Sequence, residues 1–336
     1  MEGIARAKPN ERAELIRVAA AQLRLHPVNI EKDFWVCWLL KQLFTIPDLE
    51  GWLVFKGGTS LSKCFNLIQR FSEDIDLAVD FERLGFTFEK DPRRPDLSRT
   101  KRQKLLDEMM EACRAYVAGT FLATLRSRIH GVLGSGGWSL AVSRADPNSV
   151  EFAYPVAIDL KLDYIQPHVT LELGTHAEPI PHGLFPIGPF AAEILPEQFL
   201  EPRCTVETVV ARRTFWEKAT ILHAEYHRPR SKPMPPRYSR HYVDVAMMAR
   251  TGVKDEALSD RDLLMSVVTH KDRFYPAAWA KYQEAARGTF RLVPRGERLG
   301  ELRTDYQAMQ AMFFATAPSL DDVLRALARL EEEINA

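Results

Sequence analysis

Cysteine is scarce in this sequence: Cys37, Cys64, Cys113 and Cys204 are the four among 336 residues, and they lie far apart on mostly apolar stretches. That spacing excludes a disulfide framework and a zinc knuckle, and it reads as four buried thiols. Long apolar runs are missing too. No segment approaches the roughly 18 uncharged residues that a membrane span needs, and the opening MEGIARAKPNERAELIR lacks the apolar core of a signal peptide. A cytoplasmic protein without membrane contact is the expectation. Net charge is also absent, with 45 basic and 45 acidic residues, so the molecule as a whole offers no field to draw a polyanion. No internal repeat or low-complexity tail is evident. What the chain does have is 46% hydrophobic residues, enough to fill one large domain or two ordinary ones.

One stretch organises the rest: FKGGTSLSKCFNLIQRFSEDIDLAVD, residues 55–80. An apolar strand from Trp52 to Phe55 stops at Lys56 and Gly57, where the punctuation predicts a tight turn. Gly57 and Gly58 let backbone approach a ligand without a Cβ in the way. Thr59 and Ser60 add hydroxyls beside the free N–H groups of a short amphipathic helix, an arrangement that suits phosphate. In the following S-E-D-I-D-L, strand alternation puts Ser72, Asp74 and Asp76 on one face and buries Ile75 and Leu77 on the other. Two carboxylates brought to roughly 4 Å repel by about 4 kcal/mol at an effective dielectric near 20, and a divalent cation between them relieves this. An all-oxygen donor set points to Mg²⁺ or Mn²⁺. A D-x-D pair alone is common on exposed strands, so the weight lies in its coupling to the Gly-Gly-Thr-Ser turn.

G-G-T-S-L followed by R-F-S-E-D-I-D-L resembles the signature of the AbiEii/AbiGii-type nucleotidyltransferase toxins, a branch of the DNA polymerase β-like nucleotidyltransferase superfamily. The resemblance implies that Gly58, Thr59 and Ser60, flanked by Lys56, Gly57 and Ser72, hold a nucleoside triphosphate and that Asp74 and Asp76 bind the metal. It further implies a toxin of a toxin–antitoxin or phage-defence pair. Such an enzyme transfers a nucleoside monophosphate to an RNA acceptor, foremost the 3′ end of tRNA, with a cognate antitoxin as partner. A non-catalytic nucleotide-binding regulator, and a transferase acting on a protein hydroxyl, are the alternatives.

Around this stretch, residues 10–45 read as two helices. Asn10 serves as N-cap of the first; in the second, Phe34, Trp35, Trp38, Leu39 and Leu43 are buried against the strand at Trp52 to Phe55. Lys32 and Asp33, in an E-K-D similar to a family element, either approach the site or form a solvated helix face, the second being favoured. Residues 96–129 carry helical periodicity behind a basic start (Arg99, Lys101, Arg102, Lys104). HGVLGSGGWS at 130–139 has no Gly-Lys-Ser/Thr ending and reads as a flexible hairpin or loop. Strand character returns at Val150 to Tyr154, Val156 to Tyr164 and Val169 to Leu173. In V-T-L-E-L, alternation puts Thr170 and Glu172 on one face. Glu172 there faces either water or the acid pair, and Asp159 and Asp163 compete for the place of third acid; the resemblance, through V-x-L-E-L-G, favours Glu172 as metal ligand or activator of the acceptor hydroxyl.

From Pro202 onward the chain reads as helical, beginning with Val206 to His227. Between Thr208 and Val243 stand eight Lys or Arg against two acids, Glu217 and Glu225, a local basic patch. The loop RPRSKPMPPRYSR reads as mobile and suited to an RNA backbone. By resemblance Lys218 contacts the triphosphate, Arg240 of R-H-Y-V-D assists, and Asp244 orients one of them; Arg240 and Asp244, four apart, can also form a plain ion pair. His223 and His227 share helical spacing without the Glu of a zinc motif, while His270 and Lys271 lie in another stretch similar to the family. Ser319 and Asp322 form a capping box before the stripe Val323, Leu324, Leu327, Leu330 and Ile334. The predicted architecture is α/β (α+β). A small mixed-sheet nucleotidyltransferase core (residues 1–200, helical insertion about 82–130) precedes a C-terminal helical bundle lobe (201–336) that closes over the nucleotide.

Overall fold

Strand β1 (Leu53–Lys56) runs directly into helix α4 (Gly57–Lys63), and β2 (Ile75–Val79) returns antiparallel beside β1 with Lys56 opposite Asp76. The computed structural model describes the chain apart from residues 73, 161–165 and 315. Ahead of β1 lie α1 (Glu2–Arg6), α2 (Pro9–Leu23) and α3 (Pro27–Phe44). Pro9 opens α2 and the Glu11 carboxylate accepts the Lys8 N–H, so the cap is Lys8 rather than Asn10. Trp35 and Trp38 of α3 are fully buried and pack on Phe152 and Tyr154.

After β2 come α5 (Arg99–Tyr116) and α6 (Leu122–Leu133), joined by one π-helical turn at Val117–Phe121. Tyr116 stacks flat on Trp52 with ring centroids 4.5 Å apart, which fastens this insertion to the start of β1. The stretch expected as a loop at 130–139 is instead the end of α6, a turn at Gly134, and the beginning of β3 (Ser139–Val142). Strands β4 (Ser149–Ala153), β5 (His168–Gly174), β6 (His182–Ile187) and β7 (Cys204–Val209) complete a mixed seven-stranded sheet in the order β3-β4-β5-β2-β1-β7-β6. Helix α7 (Phe190–Ile194) lies between β6 and β7. The expected strand from Val156 to Tyr164 does not form over 156–160, and its remainder, Asp163 included, lies outside the described residues.

The chain divides into two compact units. The first holds the sheet, α1 to α7, and residues up to Thr208 except 65–71 and 93–96. The helical reading of everything beyond Pro202 therefore needs correction: residues 204–209 form β7, parallel to β1, because β-branched Thr205, Val206, Thr208 and Val209 favour the pleated surface. The second unit contains α8 (Ala211–His227), α9 (Ser239–Met248), α10 (Gly252–Ser259), α11 (Arg261–Phe274), α12 (Leu299–Met309) and α13 (Leu320–Asn335). Ser319 caps α13 through the Asp322 N–H, and Val323, Leu327, Leu330 and Ile334 are its buried stripe. Residues 65–71 also belong to this unit: Phe71 N–H donates to Met312 O at 2.6 Å and Phe314 N–H to Gln69 O at 3.2 Å. No helix among the described residues is long and apolar enough to cross a membrane.

Candidate active site

The geometry of the first unit starts from register. Lys56 of β1, Asp76 of β2 and Glu172 of β5 are direct neighbours across three adjacent strands, and Ser149 of β4 continues the row. Residues paired in this way share a face, with Cβ atoms roughly 4.5–5.5 Å apart. Ile75 and Leu77 on the opposite face are fully buried. Asp74 lies one residue ahead of β2 rather than within it, since the strand begins at Ile75. Asp159, the other competitor for third acid, falls in a stretch without regular structure.

No loop separates β1 from α4. Lys56 is fully extended and Gly57 turns the chain at φ +81°, a left-handed conformation that side chains rarely adopt. A Cβ on Gly57 would meet Asp76 Oδ2 at 1.9 Å, so the Asp76 carboxylate rests against bare backbone. Thr59 and Ser60 are buried and their hydroxyls are spent inside the protein, contrary to the expectation that they point at phosphate. Thr59 shares a hydrogen bond with the Ser72 hydroxyl at 2.9 Å and donates to the Asp74 carbonyl; Ser60 donates to Gly57 O at 2.8 Å. These bonds tie the helix to the segment bearing the acids, which leaves backbone rather than hydroxyl to meet a ligand.

Glu172 reaches solvent, yet the protein around it strips enough hydration to push its carboxyl upward; Asp76 and Asp74 add repulsion, and a hydrogen bond with Asp76 strengthens the effect. Lys56 opposes this, and the outcome lies at about 7. The carboxylate oxygens are donors of the kind that a hard divalent cation takes. Among the described residues, no three His, Cys, Asp or Glu side chains converge as a preformed metal cage.

Beneath α4 lies a buried ion pair. Asp33 accepts from Lys63 Nζ at 2.6 Å and from Phe190 N–H at 2.7 Å, and the Lys63 ammonium sits 3.6 Å from the centre of the Phe190 ring. Lys32 is buried too and donates to Gln166 O at 3.1 Å. The reading of this face as solvated was therefore wrong, because its partners come from residues 63, 166 and 190, invisible to helical spacing.

The second unit carries its own polar cluster. Asp244 is wholly buried and accepts two bonds from Arg70, Nε at 2.8 Å and Nη2 at 2.7 Å, and one from Lys218 Nζ at 2.9 Å. Burial pushes the Asp244 carboxyl upward, but Arg70 and Lys218 outweigh it and hold it far below the usual range. Burial lowers Lys218, with Arg70 reinforcing and Asp244 opposing. Arg240 forms no ion pair with Asp244 among the described residues; Arg70, 174 positions away in sequence, takes that place. Sequence reasoning gave Arg70 no role, although it opens the R-F-S-E-D-I-D-L stretch that carries the family resemblance.

The basic stretch from Thr208 to Val243 is largely neutralised. Arg212 faces Asp260 at 3.6 Å, Arg213 Glu217 at 3.0 Å, Arg228 Glu225 at 2.5 Å, Arg230 Glu297, and Lys218 Asp244. The 228–240 loop is anchored as well: buried Arg298 donates to Pro229 O and Lys232 O, while Glu301 and Asp305 accept N–H groups of Met234, Arg237 and Ser239. His223 commits both ring nitrogens, accepting from Arg291 N–H and pairing with Lys281 O, which leaves none for a metal. His270 is buried and stacks on Phe274.

A comparison with curated protein sequences finds no match. Among solved structures the chain is similar to MenT4, a nucleotidyltransferase toxin from Mycobacterium tuberculosis H37Rv, at 16% identity and a TM-score of 0.43, with 95% of this chain and 96% of that one covered. The sequence profile of the family described as "Nucleotidyl transferase AbiEii toxin, Type IV TA system" matches residues 38–329. The profile covers the strand–glycine–helix–strand unit, Glu172, Lys218 and Asp244 alike, and the chain belongs to the AbiEii nucleotidyltransferase toxin family of type IV toxin–antitoxin systems.

Proposed function

We propose that this nucleotidyltransferase toxin transfers a nucleoside monophosphate from a nucleoside triphosphate to a hydroxyl of an RNA acceptor, the 3′ end of tRNA foremost, and acts in the cytoplasm where both are found. Asp74, Asp76 and Glu172 would hold Mg²⁺ or Mn²⁺, which when bound neutralises phosphate charge as a Lewis acid. The acceptor oxygen attacks the α-phosphorus, the bond to the β-phosphate breaks, and pyrophosphate leaves with its electron pair. Should Glu172 stay off the metal, its carboxyl, raised by burial and by the neighbouring Asp76 and Asp74, would instead suit a group that takes the hydroxyl proton. Gly57 and Gly58 offer backbone to the triphosphate beside Lys56 and Ser72, and the family resemblance assigns Lys218 to its phosphates, with Arg240 assisting and Asp244 orienting one of them. The family also implies a cognate antitoxin.

The observation that carries this reading is the alignment of Asp76 between Lys56 and Glu172, with its carboxylate against Gly57. The test is induced expression of wild type beside Asp76→Ala, with labelled triphosphates and total RNA. Growth arrest and nuclease-sensitive label should accompany the wild type alone. Equal toxicity of the two, or label that resists nuclease and follows protein, would overturn the proposal.

A further inference from the structure

A second cluster of positive charge lies at another corner of the helical unit. The turn after α9, the start of α10 and one face of α13 border a cavity of about 280 Å³, lined by Arg250, Lys254, Arg325 and Arg329 against Asp322 and Glu333. Two of the four cations are neutralised: Lys254 Nζ lies 2.8 Å from Glu333 Oε2, and Arg325 pairs with Asp322. Arg250 and Arg329 form no ion pair or side-chain hydrogen bond among the described residues. Arg325 and Arg329, four apart on α13, look the same way. Ala249 and Ala326 keep the cavity open, because neither has a side chain long enough to fill it.

Two guanidiniums without a close ion pair, Arg250 acting only at longer range on the Asp322 carboxylate, face one concavity and suit phosphate, whose oxygens accept paired N–H bonds from the planar fork. The volume admits a phosphate with part of its sugar, and a mainly charged lining excludes an apolar occupant. We propose that this cavity is a contact for the sugar–phosphate backbone of the acceptor, an inference that rests on the RNA reading above. No local count of charge reveals it, since its four cations come from one turn and two helices spread over 80 positions of sequence.

The test uses the full chain, a fluorescently labelled tRNA transcript, and anisotropy across a salt series. In Arg250→Ala/Arg329→Ala, the slope of log affinity against log salt should become shallower by about 0.7 to 0.9 per lost contact. The KM for nucleoside triphosphate and the unfolding midpoint should not change. Arg250→Lys/Arg329→Lys, which keeps the charge, should restore the slope. Unchanged affinity and slope in the alanine variant overturn the site while leaving the transfer reaction intact. Wild type that labels only protein overturns the RNA reading first, and this inference with it, before any variant is compared. Inorganic pyrophosphate that binds wild type but not the alanine variant, with RNA binding equal in both, assigns the cavity to free phosphate and overturns the backbone role.

Discussion

Asp76 Oδ2 occupies the space that a β-carbon on Gly57 would claim, at 1.9 Å. The two residues are therefore one device: the glycine exists so that the carboxylate can lie on the backbone at the head of α4. Gly57→Ala should add about 1–2 kcal/mol of left-handed strain and displace Asp76. A shift of about 1 Å in a reacting group costs roughly a hundredfold in rate, so transfer should fall by about that factor while the fold persists. Transfer rate and thermal unfolding, measured together, check this; full activity in the variant would contradict it.

Glu172 gives the protein a pH signature. Below 4.5 its carboxyl is protonated in both folded and unfolded chains; between 4.5 and about 7 the unfolded chain releases the proton and the folded chain keeps it. Stability of the metal-free protein should thus fall as pH rises through that window. Glu172→Gln should flatten this part of the profile of unfolding midpoint against pH. Above pH 7, added Mg²⁺ should raise the wild-type midpoint more than that of the variant.

Asp244 and Lys218 are separable by stability. Asp244→Ala strands Arg70 and Lys218 as two buried cations and should cost about 3–5 kcal/mol. Lys218→Met leaves Arg70 bidentate on Asp244, so it should lower stability by less, even though the family resemblance assigns Lys218 to the triphosphate. Denaturant unfolding of the two variants, paired with transfer assays, distinguishes a structural anchor from a group used in the reaction.

Asp33→Asn should unfasten α4 from below. Lys63 would stay buried without its counter-charge, and breaking such a pair costs on the order of 3 kcal/mol. Because α4 begins at the glycine turn, triphosphate affinity should weaken along with stability. Asp33→Glu, which keeps the charge, should recover part of both in calorimetric unfolding and nucleotide titration.

The sequence by itself determined the parts that rest on local rules. Alternation of polar and apolar residues fixed the faces of β2 and β5, the paired glycines marked the end of β1, and the 3.6-residue period placed α3, α5 and α13. The same rules failed where partners are remote: β7 was read as helix because its β-branched residues adjoin a long helical pattern, and Lys32 and Asp33 were read as solvated. Only the tertiary structure could set the register that lines up Lys56, Asp76 and Glu172, since hydrogen bonding between strands relates Asp76 to Glu172, 96 positions further along the chain. It also paired Arg70 with Asp244 and neutralised the basic stretch with Asp260 and Glu297. Charge acts through space and spacing rules act along the chain, so local patterning reveals which residues face together on one element but not which charge arrives from another.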